Sequence, residues 1–182
     1  MEIKLDENIE RRAAAVRLMI FDVDGVMTDG SIIYHDDGSE TKIFDVKDGH
    51  GIKLALRAGL DIALITGRYS RVVEHRAADL GIKIVYQNVH RKLDAYQKIL
   101  EESGLKDYQV GYMGDDLIDI PVMRRVGFAV AVRDACPHIF PFAHYITKAC
   151  GGKGACREVC ELLLRAHGKW EGVTKRYFED SL

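Results

Sequence analysis

The chain has 182 residues, 47% hydrophobic and 30% charged, enough to bury a sizeable core within one domain spanning 1–182. Its formal net charge of −2 gives no electrostatic reason to bind nucleic acid or an acidic membrane surface. No apolar run reaches the roughly 18 residues of a membrane span, and the charged opening MEIKLDENIERRAAAV lacks the apolar core of a signal peptide, so a cytoplasmic protein is expected.

The first predicted element is a buried strand, RLMIFDV, at 17–23. It runs into LMIFDVDGVMTDG (18–30), which sets Asp22 and Asp24 at the end of an apolar run, where carboxylates are costly unless a cation compensates them. The next segment, SIIYHDDGSETKIFDV (31–46), carries two short β-prone runs around DDG and predicts a hairpin projecting over those aspartates. Helices are then predicted at 50–58, 69–80, 90–103 and 116–125, alternating with strands at 61–67, 83–87, 108–114 and 127–132. A last helix at 153–168 leads to a polar tail ending at Leu182, so 153–182 reads as a C-terminal helix and tail. This alternation predicts an α/β fold, a three-layer doubly wound parallel sheet with helices on both faces. Ligands in such folds sit beyond the carboxyl ends of the strands. Cys150, Cys156 and Cys160 match neither paired zinc knuckles nor a disulfide scaffold, and read as small apolar groups.

The strong polar signals fall at those strand ends. Asp22 and Asp24, two apart, would point to one side of extended chain. Thr66 closes the second sheet strand, Lys92 opens a helix after the third, and Asp115 and Asp116 end the fourth, with Asp119 one helical turn on. Carboxylates, a hydroxyl and a lysine arriving from four strands suit phosphoryl transfer with Mg²⁺, a cation that prefers carboxylate and phosphate oxygens. One carboxylate can attack phosphorus and a second can move protons, while Thr66 and Lys92 hold the transferring group. A calcium-loop reading of DVDGVMTDG fails because Gly25 comes too early and the preceding segment is a strand. The GGKG at 151–154 lacks the Ser or Thr that a P-loop needs.

In this order the residues resemble the haloacid dehalogenase-type phosphatases: Asp22-Val23-Asp24-Gly25, Thr66, Lys92, and Gly114-Asp115-Asp116 with Asp119. The resemblance implies Asp22 as nucleophile and Asp24 as general acid and base. It also implies Mg²⁺ held by Asp22, the Asp24 backbone carbonyl and Asp115, with Asp116 and Asp119 in support. FDVDGVMTDG, FDVKDGHGIK, ITGR, GDDLIDIPVM and GGKGACREVCELLL further resemble the family of phosphatases for 3-deoxy-D-manno-octulosonate 8-phosphate. These free an eight-carbon sugar acid on the route to lipopolysaccharide. In that family the substrate is met at positions matching Asp24, Asp45, Val46, Lys47, Asp48, Gly49, Arg68, Arg76 and Lys92. Lys53 and Lys153 stand where many relatives carry arginine, which costs the planar bidentate fork. His50 is given no proton-transfer role.

A cap domain has no room. The 41 residues from 25 to 65 hold a hairpin and a helix, and the 25 from 67 to 91 a helix and a strand. The resemblance implies that a homotetramer replaces the cap, with hairpins packed centrally, sites at subunit interfaces, and the Gly151–Arg157 region helping to close them. Two alternatives stay open: a phosphatase for a nine-carbon sugar acid 9-phosphate, and a non-catalytic oligomerisation module.

Overall fold

The structure, a computed structural model, describes residues 6–179; the first five residues and the last three of the tail lie outside it. In chain order the elements are α1 (Glu7–Ala15), β1 (Leu18–Phe21), β2 (Ile33–Tyr34), β3 (Glu40–Thr41), α2 (Val46–Arg57), β4 (Asp61–Ile65), α3 (Arg71–Leu80) and β5 (Ile84–Tyr86). There follow α4 (Lys92–Ser103), β6 (Val110–Gly114), α5 (Ile120–Met123), β7 (Phe128–Ala131), β8 (Tyr145–Ile146), α6 (Ala155–Ala166) and α7 (Trp170–Thr174).

Six strands form one sheet in the order β5-β4-β1-β6-β7-β8, every neighbouring pair parallel. β1 lies inside, bonded to β4 on one side and β6 on the other, and all four of its side chains are buried. That burial on both faces is why the central strands read as unbroken apolar runs rather than alternating ones. From β1 the chain steps outward through β4 to β5, then returns to β6 and steps the other way. Right-handed crossovers in opposite directions place their helices on opposite faces. Accordingly α1, α2 and α6 pack together on one face, and α4 packs with α5 on the other. The reversal opens a crevice beyond the carboxyl ends of β1 and β6, the place where doubly wound sheets hold ligands.

β2 and β3 form a separate two-stranded antiparallel hairpin, as the DDG signal predicts. Between Asp24 and Thr66 lie only this hairpin, α2 and β4, and between Thr66 and Lys92 only α3 and β5. No cap domain stands among the described residues.

Several boundaries differ from the sequence reading. The helix expected at 50–58 begins at Val46, because the Asp45 side chain accepts from the N–H groups of Lys47 and Asp48 and starts it early. The glycines of KDGHG hide this in the sequence. The helix expected at 116–125 is a 3₁₀ turn, Leu117–Asp119, running into the short α5, where Pro121 sits in the first turn. α1, β8 and α7 were not anticipated. No helix among the described residues is long and apolar enough to cross a membrane.

Candidate active site

β1 delivers Asp22 to the crevice: its N–H donates to Met113 O at 3.0 Å, one rung beyond the regular ladder, and the residue is 4% exposed. Directly after it the chain turns, with Val26, Met27 and Thr28 N–H groups all directed at Val23 O. The extended geometry that would set Asp22 and Asp24 on one side therefore stops at the strand end, and the two carboxylates have different partners. Gly25 makes the turn possible. Its φ is +86°, and a Cβ there would fall 2.1 Å from Asp115 Oδ2.

β6 and the following loop supply the opposite wall. Asp119 is fully buried, and its Oδ2 accepts from Asp115 N–H (2.9 Å) and Asp116 N–H (3.1 Å). Its Oδ1 accepts from Tyr112 OH (2.5 Å) and Lys92 Nζ (2.6 Å). Asp119 thus orders the loop that carries Asp115. Asp116 is exposed and caps the 3₁₀ turn through Leu117 N–H.

Lys92, first residue of α4, reaches in with its side chain 1% exposed and pairs with Asp22 Oδ1 (2.9 Å) as well as Asp119. Burial alone would lower its pKa, but the two carboxylates outweigh burial and the pKa is raised. Thr66, at the end of β4, is 2% exposed; its Oγ1 accepts from Arg68 N–H.

One oxygen from each of Asp22, Asp115 and Asp119 lies within 4.8 Å of the others. Burial first, then the neighbouring carboxylates, push Asp22 up to about 6 against the pull of Lys92, and Asp115 up to about 8. Three carboxylates facing one ammonium leave a deficit of positive charge among hard oxygen donors. That donor set fits Mg²⁺.

The remaining predicted residues lie at the start of α2, on α3 and in the turn after β4. Asp45 caps α2, Val46 and Lys47 are exposed, and Gly49 lies under Arg76. Arg76 donates to Asp45 O (3.2 Å) and Asp79 (3.2 Å) and stacks over the Phe44 ring. Asp48, 2% exposed, accepts from Gly154 N–H (3.2 Å) and Arg157 N–H (2.7 Å), so it caps α6 from another helix. Burial pushes its pKa up. Arg68 donates to Tyr34 OH (2.9 Å) and Glu40 (3.3 Å) on the hairpin. Lys53, Lys153 and His50 are exposed; His50 lies against the Tyr177 ring. The Gly151–Arg157 segment is wedged against the site loop of its own chain. Gly152 N–H donates to Val26 O, and a Cβ at Gly151 would fall 1.8 Å from Gly25 O.

Two residues here escaped the sequence reading. Tyr112 reads as core but turns its hydroxyl onto Asp119. Lys42, on which the sequence reading is silent, is ion-paired with Asp24. No local motif marks either.

Residues 82–154 match the model of the haloacid dehalogenase-like hydrolases. The 3-deoxy-D-manno-octulosonate 8-phosphate phosphatase of Yersinia pestis is 49% identical over 168 residues, covering 92% of this chain and 90% of that one. The chain belongs to the 3-deoxy-D-manno-octulosonate 8-phosphate phosphatase family. The family's Escherichia coli K12 member is 50% identical over 158 residues, covering 87% of this chain and 84% of its own. The family's Moraxella catarrhalis phosphatase, crystallised in complex with a magnesium ion, a phosphate ion and a KDO molecule, superimposes with a TM-score of 0.93. It is 38% identical, covering 95% of this chain and 99% of that one.

Proposed function

We propose that the protein hydrolyses 3-deoxy-D-manno-octulosonate 8-phosphate to the free sugar acid and inorganic phosphate, with Mg²⁺, through an aspartyl-phosphate at Asp22. The observation that carries this reading is the buried Asp22 carboxylate at the end of β1, paired with Lys92 and clustered with Asp115 and Asp119. Family membership supplies the substrate.

In the first half-reaction an Asp22 oxygen attacks phosphorus while the bond from phosphorus to the sugar oxygen breaks, and Asp24 gives that oxygen its proton. In the second, Asp24 takes a proton from water as the water oxygen attacks phosphorus. The acyl–phosphate bond breaks and returns the Asp22 carboxylate. Lys92 and Thr66 hold the transferring group against its growing charge. Asp22, Asp115 and the Asp24 carbonyl would hold the Mg²⁺, with Asp119 and Asp116 shaping the Asp115 loop. Bound there, the ion supplies positive charge to the phosphoryl oxygens. Arg68, Arg76 and the 45–49 turn would face the sugar acid, whose carboxylate calls for cations.

The same reading makes the working unit a homotetramer. Ile32, Tyr34 and Ile43 on the hairpin are 49%, 65% and 64% exposed, too much apolar surface for an isolated two-stranded ribbon. Without a cap, a neighbouring subunit is what would shield the phosphoenzyme. We place the reaction in the cytoplasm, where the four free thiols remain reduced.

The test is phosphate release from the eight-carbon and nine-carbon sugar acid phosphates, with Mg²⁺ and with chelator. The eight-carbon substrate should be turned over with higher kcat/KM, only with Mg²⁺, and Asp22→Asn should lose at least about a thousand-fold. Preference for the nine-carbon compound would move the substrate assignment. Release that survives exhaustive chelation would overturn the mechanism.

A further inference from the structure

We propose that Lys42 is a positioning residue for the Asp24 carboxylate, so that the hairpin is part of the acid–base machinery; the inference rests on the role given to Asp24 above. Lys42 follows β3 directly. Its neighbours Thr41 and Ile43 are exposed, but its own side chain is 2% exposed and turned inward. Its ammonium is ion-paired with Asp24 Oδ1 and lies 4.0 Å from Glu40 Oε2. Arg68 spends its guanidinium on Tyr34 and Glu40. Its Nε stays 3.8 Å from Asp24 Oδ2, beyond hydrogen-bond distance. Among the described residues, Lys42 is therefore the sole hydrogen-bond donor to the Asp24 side chain.

The asymmetry assigns the two oxygens. Oδ1 is clamped by a buried ammonium, while Oδ2 has no hydrogen-bond partner among the described residues. Oδ2 is the atom able to carry a proton to the leaving sugar oxygen and later accept one from water. Clamping Oδ1 fixes where Oδ2 points, and a proton transfer needs that direction held within hydrogen-bond reach. A lysine gives up substantial rotamer freedom and hydration to be buried this way. Docking a hairpin would need only apolar contacts.

A structural role and a positioning role separate by leaving group. A sugar alkoxide needs its proton as the bond to phosphorus breaks, whereas p-nitrophenolate leaves without one. Lys42→Met should therefore lower kcat/KM on 3-deoxy-D-manno-octulosonate 8-phosphate by about 30-fold or more, mostly through kcat. On p-nitrophenyl phosphate it should change kcat/KM by less than about threefold. Equal losses on both phosphates, or unchanged kcat/KM on both, overturn the proposal. If Lys42→Met does not fold, the same ratio is read on Lys42→Gln, whose amide still fills the site: selective loss supports the proposal and equal loss overturns it. Asp24→Asn, measured alongside, separates the two layers. Selective loss there with none at residue 42 rejects the role of Lys42 alone, and no selective loss at Asp24 rejects the acid–base assignment itself.

Discussion

At the scale of single residues, the floor of the site holds more negative than positive charge. Asp22, Asp115 and Asp119 face Lys92, and burial raises Asp22 to about 6 and Asp115 to about 8. A carboxyl whose folded pKa lies above its unfolded value favours folding most below that unfolded value. The contribution is lost as pH rises through the folded pKa. Without Mg²⁺ the protein should therefore lose stability from about pH 4 to about pH 8 at this cluster. Mg²⁺ favours the ionised carboxylates, so the rise in Tm on adding it should grow from pH 5 to pH 8. Thermal melts with Mg²⁺ and with chelator read this directly, and a rise that shrinks with pH would contradict it. The cluster's main members were legible in the sequence because a carboxylate closing a buried apolar run needs a compensating charge. Lys42 was not: a lysine in a hairpin gives no sign that its side chain folds inward onto a residue 18 positions earlier.

At the scale of elements, the least legible joint is the one between α2 and α6. The N-terminus of α6 has no cap from its own chain neighbours, since Gly154 occupies that position, and Asp48 on α2 caps it instead. Asp48→Ala should leave the Gly154 and Arg157 N–H groups unpaired and lower unfolding stability by about 1–3 kcal/mol, seen as an earlier urea midpoint with unchanged slope. An unchanged midpoint would show that the cap contributes nothing. Central strands and the longer helices could be read from the sequence because their apolar positions are many. α1 buries only Ala13, β8 has two residues and α7 five, too few to leave a pattern. The start of α2 was lost for another reason: the glycines at 49 and 51 imitate a loop, although one lies under Arg76 and the other against Arg157.

At the scale of the whole molecule, the candidate site lies beyond the carboxyl ends of the central strands β1 and β6, beside a hairpin with exposed Ile32, Tyr34 and Ile43. Light scattering at assay concentration should give four times the 20.5 kDa chain mass. Ile43→Asp should shift the particle toward smaller species, with loss of activity in proportion; a fully active monomer would contradict assembly as the substitute for a cap. Parallel order and the crevice beyond β1 and β6 follow from the alternation of elements, but a packing surface between copies leaves only scattered apolar residues in a short ribbon. On this mechanism the phosphoryl group rests covalently on Asp22 between the two half-reactions. Acid quenching a millisecond mixture of enzyme, Mg²⁺ and substrate carrying radiolabelled phosphate tests it most directly. Label should be bound to the wild-type protein within the first turnover and absent from Asp22→Asn. Label on Asp22→Asn, or steady release from a wild-type protein that never carries label, would contradict it.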